Sequence, residues 1–233
     1  MNVDEYLSEK EQIQQLRNWW AENGWYVVGG LALGVVLLVG VNRYQAYRID
    51  RAEAAAELYQ SVVDSVAEQD VDQAHALLER LRGDYGGTAY VDQAGLLVAR
   101  LHMDTNDPAR AGEELRLVVE NSDDSQLSRV ARLRLARVLA YEERFDEALQ
   151  VLDADPDPDY FGPRYDEVRG DIHVARGQTQ QARAAYAQAL ALKGDQALID
   201  RDFVQMKLDS LPNDDGLDSA MQTEPVAEAE QSP

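Results

Sequence analysis

The stretch RLRLARVLAYEERFDEALQVL, Arg132–Leu152, decides the fold. Its first run is apolar and carries a small residue, Ala136; a charged break, EER, follows; a second run then places Ala148 and Leu152 four residues apart. Four residues is one helical turn, so Ala148 and Leu152 share a face, the alanine permitting close approach and the leucine filling the space beside it. The stretch reads as two antiparallel helices joined by a tight turn, meeting through small residues.

Neither helix of such a pair buries its apolar face alone, which makes other copies necessary. They are present. EQDVDQAHALLERL, DTNDPARAGEELRL and RGQTQQARAAYAQAL carry the same signature, with alanines at Ala74, Ala111, Ala148 and Ala182 spaced by 37, 37 and 34 residues. Four residues after each comes Leu78, Leu115, Leu152 or Tyr186; twelve before the last three comes Ala99, Ala136 or Gly170, and Val62 holds that place in the first unit. The pattern resembles the tetratricopeptide repeat, whose period is about 34 residues. It predicts an all-α solenoid of four helix-turn-helix units.

Beyond the fourth unit, Ile199, Phe203 and Met206 recur at i, i+4 and i+7, with Val204, Leu208 and Leu211 beside them. This predicts a capping helix on the open end, stopped by Pro212. The remainder is acidic, lacks Lys and Arg, and is expected to be disordered.

At the other end lies WWAENGWYVVGGLALGVVLLVGVNRY. From Trp25 to Val41 nothing is charged, which at ~1.5 Å per residue gives roughly 25 Å of helix, enough for a span anchored in the lipid bilayer. Trp19, Trp20, Trp25 and Tyr26 stand at one end and Tyr44 and Tyr47 at the other, where amphipathic rings prefer headgroup depth. An acidic leader and the absence of a small-residue cleavage site argue for an uncleaved anchor rather than a signal peptide. Gly30 and Gly34 form G-x-x-x-G, a candidate contact for a partner helix. Tyr44 to Ala67 contains neither proline nor glycine, so the span is expected to continue as helix into the first unit and to hold the solenoid near the bilayer.

The expected segments are a leader over 1–23, the transmembrane helix over 24–42, the repeat domain over 43–211 and an acidic tail over 212–233. Lys and Arg number 22 against 43 Asp and Glu, a formal charge of −21, which repels nucleic acid. Cysteine is absent, removing disulfides, thiolate metal sites and a cysteine nucleophile.

Three histidines, His75, His102 and His173, show no H-x-x-x-H or H-E-x-x-H spacing, and no metal site or cofactor is expected. His102 and His173 share a repeat position that Leu139 fills in the intervening unit, and read as packing residues. The alternating aspartates of DADPDPDYFGPRYDE place Pro158 where a calcium loop needs glycine. They read as a stiff inter-repeat connector. Gly83, Gly86 and Gly87 follow a helix rather than a strand, and no G-K-[ST] accompanies them. No catalytic constellation emerges, and the chain is not expected to be an enzyme.

A solenoid offers a concave surface. The repeat register brings Val63, Arg100, Arg137 and Asp171 to one equivalent inward position, with Tyr59, Met103 and Tyr141 nearby. Arg100 and Arg137, in so acidic a protein, suit a carboxylate-bearing segment of a partner.

Taken in order, WWAENG, NRYQAYRIDRAEAAAELYQ, RLRLARVLAYEERFDEALQVLD, RGDIHVARGQTQQARAAYAQAL and MKLDSL resemble the YfgM-type ancillary subunit of the bacterial SecYEG translocon, over residues 5–211. The resemblance implies a cytoplasmic leader, a single pass through the inner membrane and a periplasmic repeat domain. It also implies association with SecYEG and with a membrane-anchored chaperone of the PpiD type, in support of exported client proteins. The tail after Leu211 departs from that pattern. Basic residues near the span, Lys10 and Arg17 before it against Arg43, Arg48 and Arg51 after it, lean the opposite way, towards a cytoplasmic repeat domain. A difference of one residue is a weak orientation signal, and the resemblance is followed. The expected function is a non-enzymatic inner-membrane scaffold; the alternative is a cytoplasm-facing adaptor for a division or signalling complex.

Overall fold

The computed structural model describes residues 9–155, 158–191 and 198–212, and within them the chain is helical without a strand. The leader before residue 9 and the tail beyond Pro212 lie outside the described residues. Nine α-helices follow in order: α1 Glu9–Ala67, α2 Val71–Tyr85, α3 Ala89–Asp104, α4 Pro108–Asn121, α5 Ser125–Tyr141, α6 Phe145–Asp153, α7 Gly162–Ala175, α8 Thr179–Ala191 and α9 Arg201–Asp209. A 3-10 turn, Asp159–Phe161, precedes α7.

Two compact units are distinguished, Met1–Ala54 and Ala55–Pro233. In the first, α1 is long and apolar enough to cross a membrane, its most apolar stretch reaching a mean hydropathy of 2.1. The apolar residues there, from Trp25 and Leu31 to Leu38 and Val41, are exposed. A Cβ added at Gly30 or Gly34 would meet nothing within 4 Å beyond its chain neighbours and the adjoining backbone of α1. α1 runs unbroken through the boundaries expected at 23/24 and 42/43.

The second unit is built from the repeat. Ala74, Ala111, Ala148 and Ala182 are all fully buried, and their partners one turn on, Leu78, Leu115, Leu152 and Tyr186, are buried with them. The small residues facing them are buried too, from Val62 through Ala99 and Ala136 to Gly170. At Gly170 the need is steric: a Cβ there would lie 2.3 Å from the Tyr186 ring. Successive pairs pack α2 on α3, α3 on α4, α4 on α5, α5 on α6, and α7 on α8. Truncating any of the fully buried leucines of this core, such as Leu135 or Leu139, is expected to cost about 2–5 kcal/mol.

Each unit turns by the same backbone device. Gln69, Asn106, Glu143 and Gly177 adopt left-handed conformations, with φ of 57°, 62°, 59° and 71°. Each of these residues donates its N–H three residues back, to Val66, Met103, Ala140 and Val174. The next residue donates five back, from Asp70 to Ser65, Asp107 to His102, Arg144 to Leu139 and Gln178 to His173. The paired bonds satisfy carbonyls that a helix end leaves orphaned. Asp70 and Asp107 then also cap the following helix, accepting from the N–H of Gln73 and Arg110. The alanine of each unit lies five residues after its left-handed residue, so the sequence period and the turn period are one period.

The capping helix is present as α9, and of the two apolar stripes named for it one is mainly used. Phe203 and Met206 are exposed, whereas Val204 and Leu211 are buried and Leu208 and Ile199 pack beside them against Ala182, Tyr186 and Ala189 of α8. Phe203 instead lies under the Lys207 ammonium, 4.8 Å from Nζ to the ring centre. A cation near an aromatic face rewards keeping that ring at the surface.

Candidate partner-binding groove

Between α3, α4 and α5 the repeat leaves a groove of about 400 Å³. Its floor is apolar, formed by Leu96, Ala99, Met103, Leu115 and Val138, and Arg100, Arg134, Arg137 and Tyr141 stand around it. The architecture dictates this arrangement. One face of α3 and of α5 packs on the core, and residues displaced from that face line the hollow between the helices.

The three arginines differ in how they are held. Arg100 faces its own helix neighbour Asp104 at 3.6 Å, with both side chains largely exposed, a pairing worth little in water. Arg134 donates to the Leu96 carbonyl oxygen at 3.4 Å. Arg137 makes no hydrogen bond or ion pair among the described residues. Its desolvation, followed by the nearby cations Arg164 and Arg134 against the opposing pull of Glu167 and Asp171, holds it below the ordinary guanidinium value. A carboxylate placed beside it would meet a positive charge with donors to spare.

Arg100, Met103, Arg137 and Tyr141 therefore share one groove. The other three residues that the register groups with them do not line it. Tyr59 is half-buried against Tyr90, ring centres 5.6 Å apart, and belongs with half-buried Val63 to the first unit's surroundings. Asp171 is occupied at the far end, where it accepts from the Tyr186 hydroxyl at 2.8 Å and from Lys207 at 2.7 and 2.9 Å. Lys207 comes from α9, a helix outside the repeat, so no repeat register contains this contact. Arg134 was not singled out from the sequence; it lies three residues before Arg137, the spacing that brings two side chains to one helix face.

A larger hollow of about 680 Å³ lies elsewhere, around the turn Gly86–Thr88 and the turn at Asp123–Ser125. Asp92 faces it and accepts from the Ser122 hydroxyl at 2.6 Å; burial, reinforced by Asp124 and Asp123, raises its carboxyl above the usual range. The Gly86–Gly87 turn acts as the expected connector between α2 and α3, Gly87 having φ of 80°. The aspartate-rich connector also does structural work: Asp155 faces Arg129 at 3.3 Å and accepts from the Tyr165 hydroxyl at 3.2 Å.

The sequence model of the tetratricopeptide repeat-like domain matches residues 17–213. A protein of Escherichia coli bearing the name ancillary SecYEG translocon subunit is 30% identical over 206 residues, covering 88% of this chain and 98% of that protein. This chain belongs to the ancillary SecYEG translocon subunit family. Family members from Neisseria gonorrhoeae and Haemophilus influenzae, under the same name, are each 29% identical with the same coverage. The family model spans both the apolar part of α1 and the repeat array.

Proposed function

We propose that the chain is a non-enzymatic, single-pass inner-membrane scaffold of the SecYEG translocon, with α1 as anchor and the repeat array in the periplasm. There the groove docks a membrane-anchored chaperone of the PpiD type or an exported client. The observation that supports docking is Arg137, an uncommitted cation above an apolar floor in a protein of net charge −21. A segment combining a carboxylate with a large apolar side chain matches that surface: the floor takes the apolar group and Arg137 the carboxylate. Tethering supplies the rest, because an anchor beside the translocon raises the effective concentration of the groove near emerging chains and makes weak contacts sufficient. Gly30 and Gly34, open on their helix face, are proposed as the place where a partner helix approaches.

Two experiments test this. Removing the repeats while keeping the anchor abolishes chaperone co-purification, and R137A in the full chain reduces it; undiminished recovery with both variants overturns the docking role. Sidedness is read by placing a cysteine at exposed Glu120 of this cysteine-free chain and treating intact spheroplasts with a membrane-impermeant thiol reagent. Labelling is the expected result. Protection until lysis would place the repeats in the cytoplasm, in line with the arginines that follow the span, and favour the adaptor reading.

A further inference from the structure

We propose that His75, His102 and Glu114 form a binding site for a Zn²⁺-class divalent transition-metal ion, built across α2, α3 and α4. One ligand atom from each, two imidazole nitrogens and a carboxylate oxygen, lie within 4.8 Å of one another. This donor set suits zinc and its neighbours in the first transition row, and does not suit calcium or magnesium, which take oxygen alone.

Packing does not account for His102. Its side chain is buried, 1% exposed, and neither ring nitrogen has a hydrogen-bond partner among the described residues. At the equivalent place in the next unit stands Leu139, equally buried, so an apolar residue fills the space without stranding two polar atoms. At the same place in the last unit His173 is paired, its Nδ1 lying 2.8 Å from Gln178 Oε1. Buried nitrogens without partners are rare enough to require an explanation, and an absent ion is one of the few available.

The surroundings complete the case. His75 faces Glu114, Nδ1 to Oε1 at 3.4 Å, and its ring lies edge-on to His102 with centres 6.5 Å apart. Glu114 is buried, and Arg82 binds its other oxygen, Oε2, leaving Oε1 towards the histidines. Arg82 is in turn steadied by Glu79 at 2.6 Å. A held carboxylate with one oxygen presented is the usual outer-shell arrangement around a metal ligand. Donors around a tetrahedral zinc sit about 3.3 Å apart given bonds near 2.0–2.1 Å, a spacing that His75 and Glu114 already hold at 3.4 Å. The His75 side chain is half exposed, which opens a path for the ion and for water at the remaining position. The ion would clamp the first unit to the second.

The test uses the untagged full-length chain in detergent, stripped with chelator and titrated with Zn²⁺ against a chromophoric competitor. One ion per chain with a dissociation constant on the order of micromolar or tighter is expected. H75A and E114Q should each weaken it by about 10-fold or more, and Co²⁺ should give the visible absorption of a four-coordinate nitrogen–oxygen site. H75A alters an exposed residue, so its helical circular dichroism should match the unaltered chain. Absence of saturable binding overturns the proposal. So does binding that H75A leaves unchanged, which would put the ion on the acidic surface instead. Neither result bears on the groove between α3 and α5.

Discussion

Between α7, α8 and α9, the polar groups of the seam are matched. Glu167 receives Arg164 at 2.7 Å and Lys207 at 2.9 Å, Asp171 receives Lys207 and the Tyr186 hydroxyl, and Asp166 receives Arg169 at 2.7 Å. Between α2, α3 and α4, in a framework of the same repeat, His102 is sealed in with both nitrogens unmatched. The contrast shows that the repeat specifies where helices meet and not what chemistry fills the seam. The last seam recruits a cation from α9, outside the repeat; the first matches Glu114 with Arg82 from within the repeat and leaves the two His102 nitrogens unmatched among the described residues.

The strongest way to break this comparison is steric. G170A puts a methyl 2.3 Å from the Tyr186 ring, which is itself held by Asp171, whereas G95A puts one 2.8 Å from a single methyl of Val118. Overpacking of this kind is expected to cost about 3 kcal/mol or more at Gly170 and about 1 kcal/mol at Gly95, read by chemical unfolding in detergent. Equal costs would mean that the last seam is no more rigid than the first.

Next come two substitutions of opposite sign. K207M leaves Glu167, buried, with Arg164 as its remaining partner and strips Asp171 of its cation, so a loss of about 1–3 kcal/mol is expected. H102L installs the residue of the following unit and removes two unmatched nitrogens, so the chelator-treated chain should gain about 1 kcal/mol. A destabilised H102L would show that His102 has partners that this geometry lacks.

The turns should respond in smaller steps. E143G relieves a left-handed non-glycine residue and should stabilise by about 0.5–1 kcal/mol, while G177A imposes that strain and should cost about 1 kcal/mol. The smallest effect lies on the surface, where hydrogen bonds from Arg144 hold the exposed Glu147 carboxyl below its usual range. Its folded pKa is depressed, so the contribution is present above the ordinary carboxylate value and lost as pH falls through the depressed one. E147Q should flatten that part of the acid limb with a change in Tm near the limit of measurement.

The repeat was legible because it rests on size alone. Ala111, Ala148 and their leucines must be small and large in a fixed order, and that order survives in one sequence. The same register put Arg100 and Arg137 above one hollow. It failed where a contact crosses from outside the repeat: Asp171 answers to Lys207 of α9, and nothing in the repeat spacing announces that. The pattern at α9 marks two neighbouring apolar stripes without saying which is buried, and Val204 with Leu208 and Leu211 supplies the one that is used. The grouping of His75 and His102 with Glu114 was not legible, because the spacings sought place ligands on one helix and these three stand on α2, α3 and α4.

The left-handed residues at Gln69, Asn106, Glu143 and Gly177 carry a further consequence. Since the backbone enters and leaves each of them in the same way, a chain cut at one and rejoined at another meets the same local geometry on both sides of the splice. Insertion or excision of a whole unit between these points changes the length of the array while keeping the turn geometry at the splice. Gene duplication and loss would then act on this molecule in whole-unit steps, with reach as the property being edited.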